Sequence, residues 1–286
     1  MSTQPPHTPN RGTRTVQRIF APNFPSADER LRLVEQPSQA EHALLGQPSP
    51  DRVDILFVNP PAPDRAIWIR SQHRVGRRSR EGMIWPQVDL AQMAALFPDM
   101  RVGIVDAIAE RMTWETFEQL LRARRPRYYV TQVTAPTLQN DMLGAFLAHS
   151  FGATTIAFGT HVTPLAKTTL AAYPALDFAL RGEPELALRE LVDALEASAL
   201  ETSASDTDAT TTARPAPDQS FTDLLTRMFR EADPDWQPTP PVDSPITRAE
   251  RLARVKGLAW LEGDRVTLNP DRPFIHNLDN LPLPRH

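Results

Sequence analysis

Cysteine is absent from all 286 residues. That excludes disulfides, a thiolate nucleophile, a Cys-ligated zinc and a Cys-ligated iron–sulfur cluster. Glycine is scarce, with 11 residues against 29 prolines, and neither a GxGxxG turn nor a P-loop occurs. The seven histidines are scattered, without HExxH spacing. No apolar run approaches the roughly 20 residues that span a bilayer. The N-terminus has no apolar h-region, so secretion is not expected. Residues 1–27 carry Arg11, Arg14 and Arg18 and no acid, a feature of transit peptides. Their proline content and lack of an apolar helical face argue against one, which leaves the cytoplasm as the expected location. A net charge of -4 is too small for a polyanion-binding protein, so no nucleic-acid partner is expected.

What is present is an alternation. Short runs rich in Val, Ile, Phe and Tyr occur at Val53–Val58, Arg101–Val105, Tyr128–Val133, Thr154–Phe158 and Leu176–Leu180. Their nearly continuous apolar character suits strands buried on both faces. Helical periods separate them. Leu90, Met93, Ala94 and Phe97 share a face, with Pro86 placed for a first turn. Thr113 is positioned to cap a helix carrying Trp114, Phe117 and Leu121, which Pro126 stops. Met142, Leu143, Phe146 and Leu147 form another stripe, followed by a short piece at 165–172 and a stripe of Leu188, Leu191, Val192 and Leu195. Repeated βα units with short connections predict an α/β fold: a five-stranded doubly wound parallel sheet, flavodoxin-like, in the order 2-1-3-4-5.

Outside residues 51–197 the pattern changes. Residues 1–50 read as a disordered extension and 198–247 as a low-complexity insertion. Within that insertion Phe221, Leu224, Leu225, Met228 and Phe229 define one amphipathic helix, which either packs on its own domain or docks a partner. Val255–Leu261 and Arg265–Asn269, flanking Glu262-Gly263-Asp264, predict a C-terminal β-hairpin.

Ligands of such sheets bind beyond the carboxyl ends of the strands. The loops there begin at Asn59-Pro60-Pro61, Thr134-Ala135-Pro136-Thr137, Gly159-Thr160-His161-Val162-Thr163 and Arg181-Gly182-Glu183. Gly159 permits close approach of a ligand, while Thr134, Thr137, Thr160 and Thr163 offer an uncharged hydrogen-bonding rim. Thr and Gly are equally good turn and cap residues. A phosphoacceptor receiver would need Asp where Val133-Thr134 stands.

Taken in order, Ile55–Pro61, Phe158–Pro164 and the Arg181-Gly182-Glu183-Pro184-Glu185 turn resemble the N-terminal domain of cobalamin-dependent radical S-adenosylmethionine (SAM) proteins. The tail is similar to the connector that such proteins place before the catalytic barrel, through Val255–Trp260, Asn269-Pro270, Arg272-Pro273 and Leu278–Pro282. The resemblance implies a cobalamin-binding module for a methyltransferase or cyclase. Its cofactor contacts would come from Asn59, Pro60, Pro61, Thr134, Ala135, Thr137, Gly159, Thr160, His161, Thr163, Gly182 and Glu183. Thr160 departs from the second glycine of the family's turn. The family's CxxxCxxC motif is missing, so SAM and the iron–sulfur cluster would belong to another domain or chain, and no catalytic residue is assigned. Residues 248–286 then read as hairpin and connector toward a radical SAM domain, the chain being either truncated or a stand-alone corrinoid-binding subunit. A cofactor-free, flavodoxin-like interaction domain is the remaining alternative.

Ser71–Gly76 is similar to the DxHxxG motif of other cobalamin domains, with Ser for Asp, which implies His73 as an axial cobalt ligand or else a loop or partner-contact histidine. Arg70, Arg74, Arg77 and Arg78 on the same loop suit a carboxylated substrate, because guanidinium binds carboxylate bidentately. The run Arg70–Arg78 with Trp85-Pro86-Gln87 resembles enzymes that tailor tetrapyrroles, including those of bacteriochlorophyll synthesis, whose substrates carry propionates.

Overall fold

The computed structural model describes residues 51–62, 67–69, 77–79, 82–205, 217–240, 244, 246–263 and 265–285. The expectation for residues 1–50 lies outside them. The strands are β1 (Ile55–Asn59), β2 (Trp68–Ile69), β3 (Arg77–Arg78), β4 (Val102–Asp106), β5 (Tyr128–Gln132), β6 (Thr154–Phe158), β7 (Phe178–Leu180), β8 (Leu258–Glu262) and β9 (Arg265–Leu268). The helices are α1 (Val88–Ala94), α2 (Trp114–Arg124), α3 (Leu138–Ser150), α4 (Val162–Ala172), α5 (Pro184–Ser205), α6 (Gln219–Ala232) and α7 (Arg248–Arg254).

One sheet runs β4-β1-β5-β6-β7-β8-β9. Its first five strands are parallel, so the predicted order 2-1-3-4-5 holds. β1 sits second in the sheet, and every side chain of Ile-Leu-Phe-Val-Asn is buried, as an interior parallel strand requires. The strand count differs from five because the hairpin is not a separate connector. β8 pairs antiparallel with β7 through Phe178↔Trp260, Ala179↔Ala259 and Leu180↔Leu258, giving seven strands. The physical reason is edge protection: without β8 the apolar β7 would present unpaired backbone groups to water. β2 and β3 form a separate two-stranded ribbon.

Two apolar layers cover the sheet. α1, α5 and α6 pack over one face around Phe57, Met93, Phe97, Leu191 and Phe229. α2, α3 and α4 cover the other around Leu56, Phe117, Tyr129, Phe146 and Leu170. α6, which lies in the predicted insertion, thus buries Leu225, Met228, Phe229 and Ala232 against its own domain. α5 continues through residue 198 to Ser205.

Helix ends follow local chemistry. Thr113 caps α2 by accepting from Thr116 N at 3.2 Å, and Asp218 caps α6 by accepting from Phe221 N at 2.8 Å. Thr247 and Glu250 form a reciprocal capping box on α7. Pro86 lies before α1, whose N-cap is Gln87.

The segment after β9 returns across the domain. Arg272 pairs with Glu190 in the interior, and Glu190 also accepts from Trp236 Nε1 at 2.8 Å. Asn280 Nδ2 donates to Glu231 at 2.5 Å, Gln92 Nε2 to Pro282 O at 2.5 Å, and Arg285 N to Ala91 O at 3.0 Å. The tail therefore reaches from the hairpin to α1. No helix among the described residues is long and apolar enough to cross a membrane.

Candidate functional site

The carboxyl ends of β1, β4, β5, β6 and β7 form one edge of the sheet, and the residues there divide into those held inward and those left open. Asn59 ends β1 in the interior, where its Nδ2 donates to Asp106 Oδ1 at 2.7 Å. Asp106 Oδ1 also accepts from Ile108 N and Ala109 N at 3.2 and 3.1 Å, so the pair fixes the turn after β4. Pro60 and Pro61 are buried. Asn140 Nδ2 on α3 donates to Pro61 O. Opposite Pro60, an added Cβ on Gly144 would stand 3.1 Å from the ring. The Asn-Pro-Pro turn is thereby clamped against α3.

Thr134 and Thr137 also face inward. Their hydroxyl oxygens are 2.7 Å apart, and Thr137 Oγ1 donates to Asp141 Oδ2 at 2.7 Å. Thr134 N donates to the same oxygen at 3.4 Å. A buried carboxylate near the N-terminus of α3 is favoured by the helix dipole and by these donors. Between the two threonines, Ala135 and Pro136 are exposed.

Gly159 adopts φ +112°, and a Cβ there would lie 2.9 Å from Val133 O. This close approach lets the loops after β5 and β6 run together, with His161 N donating to Val133 O at 3.2 Å. Thr160 is exposed. His161 is half-buried, its Nδ1 lacks a partner, and burial pushes its pKa below the ordinary imidazole value. Thr163 Oγ1 donates to Gly159 O at 3.0 Å and accepts from Gly182 N at 3.2 Å, joining the loops after β6 and β7. Gly182 is exposed with open space around its Cα. Glu183 accepts from Ile275 N at 2.7 Å, which ties this edge to the tail.

Gln132 and Asp89 carry no signal that the motif reading used, and Glu185 stands in the Arg181–Glu185 turn without an assigned role. Gln132 ends β5 and donates from Nε2 to Asp89 at 2.9 Å. Glu185 lies next to this pair. Its carboxyl is pushed up to about 7 by burial, reinforced by the negative charges of Glu183 and Asp89. Asn59 Oδ1, Gln132 Oε1, Asn140 Oδ1, His161 Nδ1 and Glu185 Oε2 are all buried without a hydrogen-bond partner. Buried unsatisfied atoms are uncommon in native folds. Five such atoms lie along this one sheet edge. A final polar residue in an apolar strand, as in Tyr-Tyr-Val-Thr-Gln, was the signal available for Gln132.

The apolar rim comes from Met83, Ile84, Trp85 and Val88, all exposed just before or at the start of α1, and from Leu165 in the first turn of α4. Arg77 and Arg78 form β3, paired with Ile69 and Trp68. Arg70, His73 and Arg74 lie outside the described residues. Among the described residues, no three His, Asp or Glu side chains converge as a metal site.

Fold and edge together define a doubly wound α/β domain, and in sheets of this kind ligands bind beyond the carboxyl ends of the strands. The chain is 22% identical over 208 residues to the uncharacterized methyltransferase PH0819 of Pyrococcus horikoshii, an alignment covering 72% of this chain. It spans 34% of that relative's length. No family model matches the sequence.

Proposed function

We propose that this chain is the cobalamin-binding module of a radical SAM methyltransferase or cyclase. The observation that carries this reading is the open carboxyl edge of the sheet. It presents an exposed platform of Ala135, Pro136, Thr160 and Gly182, beside the exposed apolar Met83, Ile84, Trp85 and Val88. A wide, flat corrin with amide arms suits a platform of small residues with one exposed hydroxyl at Thr160. The similarity to a protein named as a methyltransferase agrees with it.

Cobalamin, when bound, holds a transferable methyl group or steers a radical. This chain's residues divide the remaining work. The Asn59–Asp106 and Thr137–Asp141 pairs keep the loops in fixed positions. Gly182 keeps the platform free of a side chain, Gly159 lets the loops after β5 and β6 close on each other, and Thr160 is the platform's exposed polar group. His73 would supply an imidazole nitrogen to the cobalt, and Arg70, Arg74, Arg77 and Arg78 would hold a carboxylated, tetrapyrrole-type substrate. Cleavage of SAM needs a cluster whose cysteines these 286 residues lack, so a radical SAM domain is the partner required.

Purified protein mixed with hydroxocobalamin should carry the visible chromophore through gel filtration. Thr160→Trp, which crowds the platform from an exposed position, should abolish co-elution without changing thermal stability. A colourless protein peak for the unaltered chain would exclude the reading.

A further inference from the structure

A cavity of about 510 Å³ opens at the opposite, amino-terminal edge of the same sheet, lined in part by Arg52, Arg125, Arg127 and Arg248. Arg52 precedes β1, Arg125 and Arg127 precede β5, and Arg248 begins α7, so the fold gathers four guanidinium groups from three places in the chain. Arg127 is neutralised by Glu196 at 2.5 Å. Arg52, Arg125 and Arg248 form no ion pair within the described structure. Two of their nitrogens, Arg52 Nε and Arg125 Nη1, are buried without an acceptor. A guanidinium N–H withdrawn from water without an acceptor is costly.

Arg125 adds a second observation. It ends α2 in the left-handed region, with φ 40° and ψ 62°, a position that glycine fills best. Its Nε donates to Arg122 O at 3.1 Å, so one edge of the guanidinium is fixed by backbone while Nη1 has no partner. Phe151 and Leu195 add an apolar side to the cavity. The volume falls in the range of small-molecule sites.

We propose that this cavity binds a phosphate-bearing small molecule, held by Arg52, Arg125 and Arg248. Phosphate oxygens accept bidentate guanidinium bonds, and a doubly charged or diphosphate group matches three unpaired cations. The apolar side leaves room for an attached ring. This inference stands apart from the carboxyl-edge reading and uses none of its residues.

The test is isothermal titration of the full chain at low salt with inorganic pyrophosphate, with ADP and with citrate as a carboxylate control. Pyrophosphate and ADP should bind, with citrate at least tenfold weaker. ADP binding tenfold tighter than pyrophosphate identifies a nucleotide site, and equal affinities identify a diphosphate site. Arg125→Gly removes the guanidinium while easing the left-handed backbone, and Arg248→Ala alters an exposed position. Each should weaken pyrophosphate binding at least tenfold with an unchanged melting temperature. Absence of binding by both phosphate probes, citrate binding as tight as pyrophosphate, or full affinity in both variants would overturn the proposal.

Discussion

Asp141 accepts the Thr137 hydroxyl proton at 2.7 Å where neither side chain meets solvent. Thr134 closes the group through its own hydroxyl, 2.7 Å from that of Thr137. The loop after β5 is therefore held by a buried carboxyl and the donors around it. Asp141→Ala should lower unfolding stability by roughly 2–4 kcal/mol, because it leaves a buried hydroxyl and a buried amide without their acceptor. Urea denaturation measures it, and a loss below about 1 kcal/mol would contradict the assigned role.

Gly159 and Gly182 offer a matched comparison. Both have positive φ, but an added Cβ meets Val133 O at 2.9 Å at Gly159 and nothing within 4 Å at Gly182. Gly182→Ala should cost about 1 kcal/mol from backbone strain alone. Gly159→Ala adds a backbone clash and should cost at least about 2 kcal/mol. Equal melting temperatures for the two variants would refute the close contact between the loops after β5 and β6.

Glu185 should make stability depend on pH. Its folded pKa, about 7, lies above the ordinary 4.5, with burial as the main cause. The folded protein thus holds a proton that the unfolded chain releases between these values. The stabilisation is present in full below about pH 4.5 and is lost as pH rises to about 7, on the order of 3 kcal/mol. Glu185→Gln should remove this loss. His149, raised by its hydrogen bond to Asp177, titrates in the same direction and is unaltered in the variant. The difference between denaturation curves at pH 5 and pH 8 isolates Glu185, and parallel curves would show that it does not carry the proton.

The tail is fastened by a buried ion pair. Burial raises the Glu190 carboxyl, and Arg272 with Trp236 opposes that rise. Arg272→Met leaves the carboxylate with its Trp236 bond only and should cost about 3 kcal/mol. It should also accelerate chymotryptic cleavage at the exposed Phe274, read by mass spectrometry. Wild-type cleavage kinetics in the variant would mean that the tail is held elsewhere.

The parallel sheet was legible because apolar runs such as Ile55–Val58 can only be buried on both faces, and right-handed crossovers then restrict strand order. Joining of the hairpin to β7 was not legible. The apolar run Leu258–Leu261 shows a strand but does not name its neighbour. The Arg272–Glu190 contact spans 82 residues and follows no local rule. At the site, loop positions were readable while side-chain directions were not. Thr134 and Thr137 occupy the expected edge but turn toward Asp141, which lies in the following helix. Thr247-Arg248-Ala249-Glu250 did carry a readable helix-start signature, the capping box, which the apolar pattern does not contain.

The return of the tail to α1 bears on how the chain folds. Arg285 meets Ala91 across nearly two hundred residues, after α6 and the hairpin have been laid down. Contacts that distant form late and slowly, since loop closure precedes any reward. During synthesis the β-α core can assemble long before its seal exists. The α1 surface that receives Pro282 and Arg285 then stays uncovered until those two residues have emerged.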